Sequence, residues 1–105
     1  MADYKLSLLA EEDLISIYAY TYETWGIEQL DTYKGYLTKA LEEITADPFG
    51  IGSKSRDDLA EGCRTYRVQH HYYVYRVKNS TVETARVLHE YMDFHLQTKE
   101  SYFPI

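Results

Sequence analysis

The chain has 105 residues, 45% hydrophobic and 27% charged, a length and composition expected of one soluble domain spanning residues 1–105. A net charge of −6 argues against broad binding of RNA or DNA, whose phosphates an acidic surface repels. The single cysteine, Cys63, excludes an intrachain disulfide; no apolar run reaches membrane-helix length, and Asp3, Lys5 and Ser7 interrupt any secretory start, so a cytoplasmic location is expected.

The opening Tyr4-Lys5-Leu6-Ser7-Leu8 alternates as a short strand does. Ser7 stands where a helix N-cap would, with Glu11, Glu12 and Asp13 placing negative charge in the first turns. Leu14, Ile17, Tyr18, Thr21 and Trp25 then mark one stripe of a helix that Gly26 stops. Leu30, Tyr33, Leu37, Leu41 and Ile44 mark a second helix that ends at Asp47-Pro48. So short a link predicts an antiparallel hairpin. Pro48, Gly50, Gly52, Ser53 and Ser55 make the segment from Asp47 to Gly62 a loop.

Beyond Gly62 the sequence turns β-branched and aromatic. Cys63–His70, Tyr72–Lys78 and Val82–Leu88 read as three antiparallel strands, with Asn79-Ser80 the clearest turn. His89 onward is expected to form a last helical turn, and residues 97–105 a tail that orders only on docking. The predicted fold is α/β (α+β): strand, helix hairpin and three strands, the hairpin packed on one face of a small curved sheet. Leu6, Leu8, Leu14, Ile17, Tyr18, Trp25, Leu30, Leu37, Leu41, Val68, Val74, Val77, Val87 and Leu88 are expected in one core. The opposite sheet face is expected to be a concave aromatic binding surface, which suits a chain with 12 Tyr, 3 Phe and 1 Trp.

Catalytic chemistry finds little support. His70 and His71 are adjacent on a strand and point to opposite faces, so they cannot share a metal ion. His89 and Asp93 read as anchors of the turn after the last strand. Cys63 lies beside Arg64 but has no histidine spaced to activate it. Lys54, Arg56, Arg64, Arg67, Arg76 and Arg86 could serve phosphate chemistry, yet each has a simpler role as a carboxylate partner or strand-edge solubiliser. Residues 1–62 hold five cationic and thirteen acidic side chains, and residues 63–105 six and four, so the second half is locally positive.

The most specific stretch is Arg86-Val87-Leu88-His89 followed by Met92-Asp93. It completes an ordered series: Leu6-Ser7, Ala10 and Asp13-Leu14; Tyr20-Thr21, Trp25-Gly26, Gln29 and Tyr33; Pro48 and Gly50; Gly62, Arg64, His71, Tyr75 and Arg76-Val77. On this series, covering residues 4–96, the chain resembles the ParE toxins, a branch of the ParE/RelE superfamily of toxin–antitoxin systems. The resemblance implies a non-enzymatic type II toxin with no cofactor or metal. Such toxins inhibit DNA gyrase by binding it, are neutralised by a ParD-like antitoxin and assemble with it as a hetero-oligomer, with no membrane or specific nucleic-acid partner. Arg86, His89, Tyr91, Met92 and Phe94 are then the gyrase-interaction candidates, and Arg64, Arg67, Arg86, Tyr66, Tyr73 and Tyr75 the antitoxin-binding candidates. Two alternatives stand beside this reading: a RelE-like ribosome-dependent messenger-RNA nuclease, and an inactive member kept for antitoxin binding or regulation.

Overall fold

A computed structural model describes residues 3–104; Met1, Ala2 and Ile105, parts of the expected domain and tail, lie outside the described residues. Strand β1 (Asp3–Leu6) leads directly into helix α1 (Leu8–Trp25) through Ser7. The Ser7 hydroxyl accepts from the Ala10 amide at 3.0 Å and donates to the Ala85 carbonyl at 2.6 Å. One side chain therefore caps the helix and ties it to a strand far away in sequence.

Gly26 alone separates α1 from helix α2 (Ile27–Ala46). Its φ of 90° and ψ of −178° belong to a region essentially closed to residues with a Cβ, and this backbone reversal makes the hairpin. Helix α2 ends at Ala46, just before Asp47-Pro48. The expected loop contains an additional three-residue edge strand, β2 (Ser53–Ser55). Gly52 precedes it beneath the Tyr66 ring, where a Cβ would meet the ring at 2.6 Å.

Strands β3 (Arg64–Val68), β4 (His71–Lys78) and β5 (Thr81–His89) follow as expected, with ends shifted by one or two residues. Asn79 and Ser80, with φ of 51° and 62°, form the tight turn of a hairpin whose twist matches its strands. Among the described residues the sheet runs β1-β5-β4-β3-β2, with β1 parallel to β5 and the other pairs antiparallel. Val74 opposes Arg86 and Tyr75 opposes Thr84, so Ala85 is the extra residue of a β-bulge.

The core is divided, not single. On the hairpin side Leu37, Ile44, Tyr73, Tyr75, Val82 and Val87 pack together, with Leu6, Leu14, Ile17, Tyr18, Leu41 and Val77 around them. On the other side Val74, Leu88, Cys63, Ala85 and Phe103 form a second cluster with Leu59, Ala60, Phe94 and Tyr102. Alternation along the strands sends Tyr73 and Val87 to one cluster, and Val74 and Leu88 to the other. Three expected core residues lie outside both clusters: Leu8 is 71% exposed, Trp25 69% exposed, and Leu30 is half-buried.

The expected open aromatic face is largely covered, with a recess of about 390 Å³ left between Lys54, Thr65, Tyr72 and Phe94. Helix α3 (Phe94–Gln97), a 3-10 turn at Glu100–Tyr102 and the segment around Leu59-Ala60 cover that face. Phe103 is 3% exposed, and the Arg76 guanidinium lies 4.5 Å over its ring. The tail thus orders by docking on this same molecule. No helix among the described residues is long and apolar enough to cross a membrane.

Candidate functional site

With much of the far face covered, a cleft opens between the hairpin and the His71 end of β4. Ser16, Ile17, Tyr20, Thr21 and Trp25 of α1, Gln29 and Tyr33 of α2, and His70, His71 and His89 line a cleft of about 580 Å³. Local chemistry builds its walls. Thr21 turns its hydroxyl onto the Ile17 carbonyl at 2.7 Å, which lets a polar side chain sit buried in the helix. Tyr33 comes from the buried stripe of α2, and its hydroxyl meets His71 Nδ1 at 2.5 Å.

His71 and His89 are cross-strand partners at the end of the β4–β5 pair. Their rings meet edge to face, with centroids 5.2 Å apart. Burial, reinforced by His89 and His70, pushes the His71 imidazole down to about 4. Burial likewise raises the Tyr33 phenol above its ordinary value. Both groups are therefore neutral at pH 7. His70 sits at the rim, paired with Glu90 at 2.7 Å, and His70 holds the Glu90 carboxyl below its usual range. Among the described residues no carboxylate lines the cleft, which offers aromatic edges and the neutral imidazole of His71. Such a surface suits apolar side chains presented by another protein.

The gyrase-interaction candidates divide between surface and framework. Tyr91 is 86% exposed and Met92 49% exposed, in the turn just past His89, whose Nδ1 accepts the Tyr91 amide at 3.2 Å. Phe94 packs edge to face on Tyr72 and belongs to the tail-side cluster. Asp93 caps α3 by accepting from the His95 and Leu96 amides, so His89 and Asp93 do anchor the turn. Arg86 is held inside: its Nε and Nη2 donate to Asp13 at 2.8 and 2.9 Å, and its Nη1 to the Gln97 carbonyl at 2.9 Å.

The antitoxin-binding candidates are not gathered on one surface. Tyr73 and Tyr75 are buried beneath the hairpin, their hydroxyls donating to the Leu37 and Pro48 carbonyls. They fasten helix to sheet and have no surface to offer a partner. Tyr66 donates to Glu43 at 2.5 Å, which pushes its phenol up to about 12. Arg64 is bonded to Ser53 and stacked over Phe49. Arg67, the most accessible of the three arginines, reaches Glu90 at 3.0 Å. Cys63 is fully buried, and desolvation raises its thiol to about 11, away from reactivity.

Sequence reasoning did not gather Tyr20, Trp25, Gln29, Tyr33 and His71 into a site, although every one belongs to the ordered series quoted for the resemblance. The usable signal was Trp25 beside Gly26, a large ring at a hairpin end where few core neighbours exist to bury it.

Comparison with known proteins adds a consistent picture. Residues 4–94 match the family model described as the ParE toxin of the type II toxin–antitoxin system parDE. The toxin ParE1 of Mycobacterium tuberculosis is 35% identical over 91 residues, covering 86% of this chain and 91% of that protein. The toxin ParE1 of Caulobacter vibrioides is 37% identical over 93 residues, covering 89% and 94%. A chain of the chromosomal ParDE toxin–antitoxin system from P. aeruginosa shares the fold at a TM-score of 0.70 and 21% identity, with 85% of this chain and 96% of that one covered.

Proposed function

This chain belongs to the ParE toxins of type II toxin–antitoxin systems, and from that premise we propose that it acts in the cytoplasm, as one domain, by binding DNA gyrase. A ParD-like antitoxin neutralises it by laying an apolar segment into the cleft beside Tyr33, His71 and Trp25, forming a hetero-oligomer. The observation that carries this reading is the cleft itself: about 580 Å³, walled by aromatic rings and the His70, His71 and His89 imidazoles, and open to a protein segment.

The mechanism is non-enzymatic. Gyrase already cuts DNA, so a toxin need only bind its cleaved state more tightly than its resting state. A hundredfold preference corresponds to about 2.7 kcal/mol, which a few desolvated aromatic contacts supply. Tyr91 and Met92, exposed beside His89, are the side chains best placed to make them. The engagement of the cations supports binding over RNA cleavage. Arg86 is paired with Asp13, Arg76 with Glu83, Arg56 with Asp58 and Arg67 with Glu90, so four of the six cations named for phosphate chemistry are engaged by carboxylates.

A supercoiling and cleavage assay with purified gyrase tests the proposal. The folded chain should inhibit supercoiling and accumulate cut DNA, and prior mixing with the antitoxin should abolish both effects. A folded chain that leaves gyrase untouched sinks the target. Failure of the two purified partners to co-elute sinks the antitoxin claim.

A further inference from the structure

The recess of about 390 Å³ on the tail-side face of the sheet shares none of its walls with the cleft. Lys54, Arg56, Thr65, Tyr72, Phe94 and His95 are among its lining residues. Lys54 opposes Thr65, and Thr65 opposes Val74, so these side chains share one face, with Tyr72 two residues from Val74 on the same side. Beside the recess, Arg56 and His95 converge on Asp58. The Arg56 Nε and Nη2 donate to its two carboxylate oxygens at 2.9 Å each, and His95 Nε2 stands 2.9 Å from Oδ2. Three nitrogens thus hold one oxyanion, and that oxyanion belongs to the chain itself.

Asp58 is an exchangeable occupant. Its side chain is 49% exposed, so solvent screens the pair. The loop takes its shape from Asp57 instead, which accepts from the Gly62 amide at 2.8 Å and the Ser55 hydroxyl at 2.9 Å. Lys54, exposed on β2, forms no ion pair among the described residues. Next to these cations the Phe94 and Tyr72 rings meet with centroids 5.3 Å apart, and the Arg56 guanidinium lies 5.7 Å over Phe94. A cationic end beside aromatic rings matches a ligand that joins a phosphate to a planar base. Two strand spacings, about 10 Å, separate the strand of Lys54 from that of Tyr72, so one small molecule can meet both. Glu90 lines the recess from beyond β5 and repels a phosphate there, which fixes the phosphate at the Lys54 end. We propose that the recess binds a nucleoside 5′-monophosphate, its phosphate displacing the Asp58 carboxylate between Lys54, Arg56 and His95 and its base lying on Tyr72 and Phe94. The net charge of −6 disfavours a long polyanion, so the free nucleotide is preferred to the phosphorylated end of a strand.

The test titrates the full chain, ¹⁵N-labelled, with adenosine 5′-monophosphate. Amides of Lys54, Thr65, Tyr72 and His95 should shift while those of Tyr33 and His71 stay in place. Adenosine and ribose 5-phosphate each keep half of the recognition and should bind at least about tenfold more weakly. Lys54→Ala and Arg56→Ala should each weaken binding at least about fivefold. Asp58→Ala removes the competing carboxylate and should tighten binding at least about threefold. All three variants should melt with the parent, because Asp57 holds the loop. Absence of shifts at millimolar nucleotide, equal binding of ribose 5-phosphate, unchanged affinity in Asp58→Ala, or shifts centred on Tyr33 and His71 would overturn the inference. Tighter binding of a short 5′-phosphorylated oligodeoxyadenylate than of the mononucleotide would overturn the preference for the free nucleotide.

Discussion

Asp13 and Arg86, 73 residues apart, form a two-pronged ion pair in which each carboxylate oxygen accepts from the guanidinium, at 2.8 and 2.9 Å. The same carboxylate accepts the Val87 amide at 3.0 Å, while Arg86 also donates to the Gln97 carbonyl. Helix α1, strand β5 and the tail thus meet at one junction. Arg86→Ala leaves Asp13 mostly buried without its cation, and should cost about 3–5 kcal/mol in urea denaturation. Loss of toxicity in that variant would report on folding. Near-parental stability would show that the pair contributes little and that Arg86 is available for another role.

The tail carries a comparable share of the structure. Phe103 fills the second cluster and holds the Arg76 guanidinium over its ring. Phe103→Ala should destabilise by about 3–5 kcal/mol. A chain stopped after Glu90 loses Phe94, Tyr102 and Phe103 together and should aggregate or bind a hydrophobic dye, because Val74 and Leu88 lose their cover. Such a truncation cannot separate a gyrase contact from the fold, whereas Tyr91→Ala with Met92→Ala can. That double variant should melt within about 0.5 kcal/mol of the parent yet lose gyrase inhibition.

His71 makes stability depend on acidity. Its imidazole titrates near 4 in the folded chain and near 6.5 when unfolded, so folding favours the neutral form. This contribution is complete above pH 6.5 and is lost as pH falls towards 4. His71→Gln keeps a partner for the Tyr33 hydroxyl but cannot take up a proton. The urea midpoint of the parent should drop more between pH 7 and pH 4.5 than that of the variant. Parallel declines would refute the assignment.

Leu37 and Leu41 occupy the same helix but unequal surroundings. Leu37 is fully buried, so Leu37→Ala should cost about 3–5 kcal/mol through the cavity it leaves. Leu41 is half-buried and should cost about 2 kcal/mol or less. Leu8→Ala and Trp25→Ala, both at exposed positions, should each change stability by no more than about 0.5 kcal/mol. Thermal melts of the four variants check the order.

What could be read in advance was what local chemistry controls. Ser7 as a cap, Gly26 as a hinge between helices, Pro48 after the second helix and Asn79-Ser80 as a turn each follow from backbone and side-chain preferences of a few residues. Strand β2 escaped notice because Ser53, Lys54 and Ser55 have no apolar alternation; pairing with β3 alone makes them a strand. Leu8 and Trp25 were misplaced because α1 is apolar on opposite sides, and periodicity does not say which side meets the sheet. The same ambiguity covered β4, where Tyr72 and Val74 were as plausible inward residues as Tyr73 and Tyr75. The second cluster was out of reach for another reason. Phe94, Tyr102 and Phe103 show no regular spacing, and only the folded sheet gives them a common destination. In the cleft, His71 was visible as a residue but its pairing with Tyr33 joins positions 38 apart.

The parallel pairing of β1 with β5 has a consequence for how the chain is made. Ser7 waits for the Ala85 carbonyl, 78 residues downstream, before its hydroxyl has its final partner. At about 5–20 residues per second, a ribosome takes on the order of 4–16 s to synthesise that interval. During that time the hairpin can form from local contacts, but the strand that closes the sheet does not yet exist. A nascent chain therefore spends most of its synthesis without a finished cleft and without the Asp13–Arg86 junction. The complete fold arrives late and nearly all at once, only after β5 has been made.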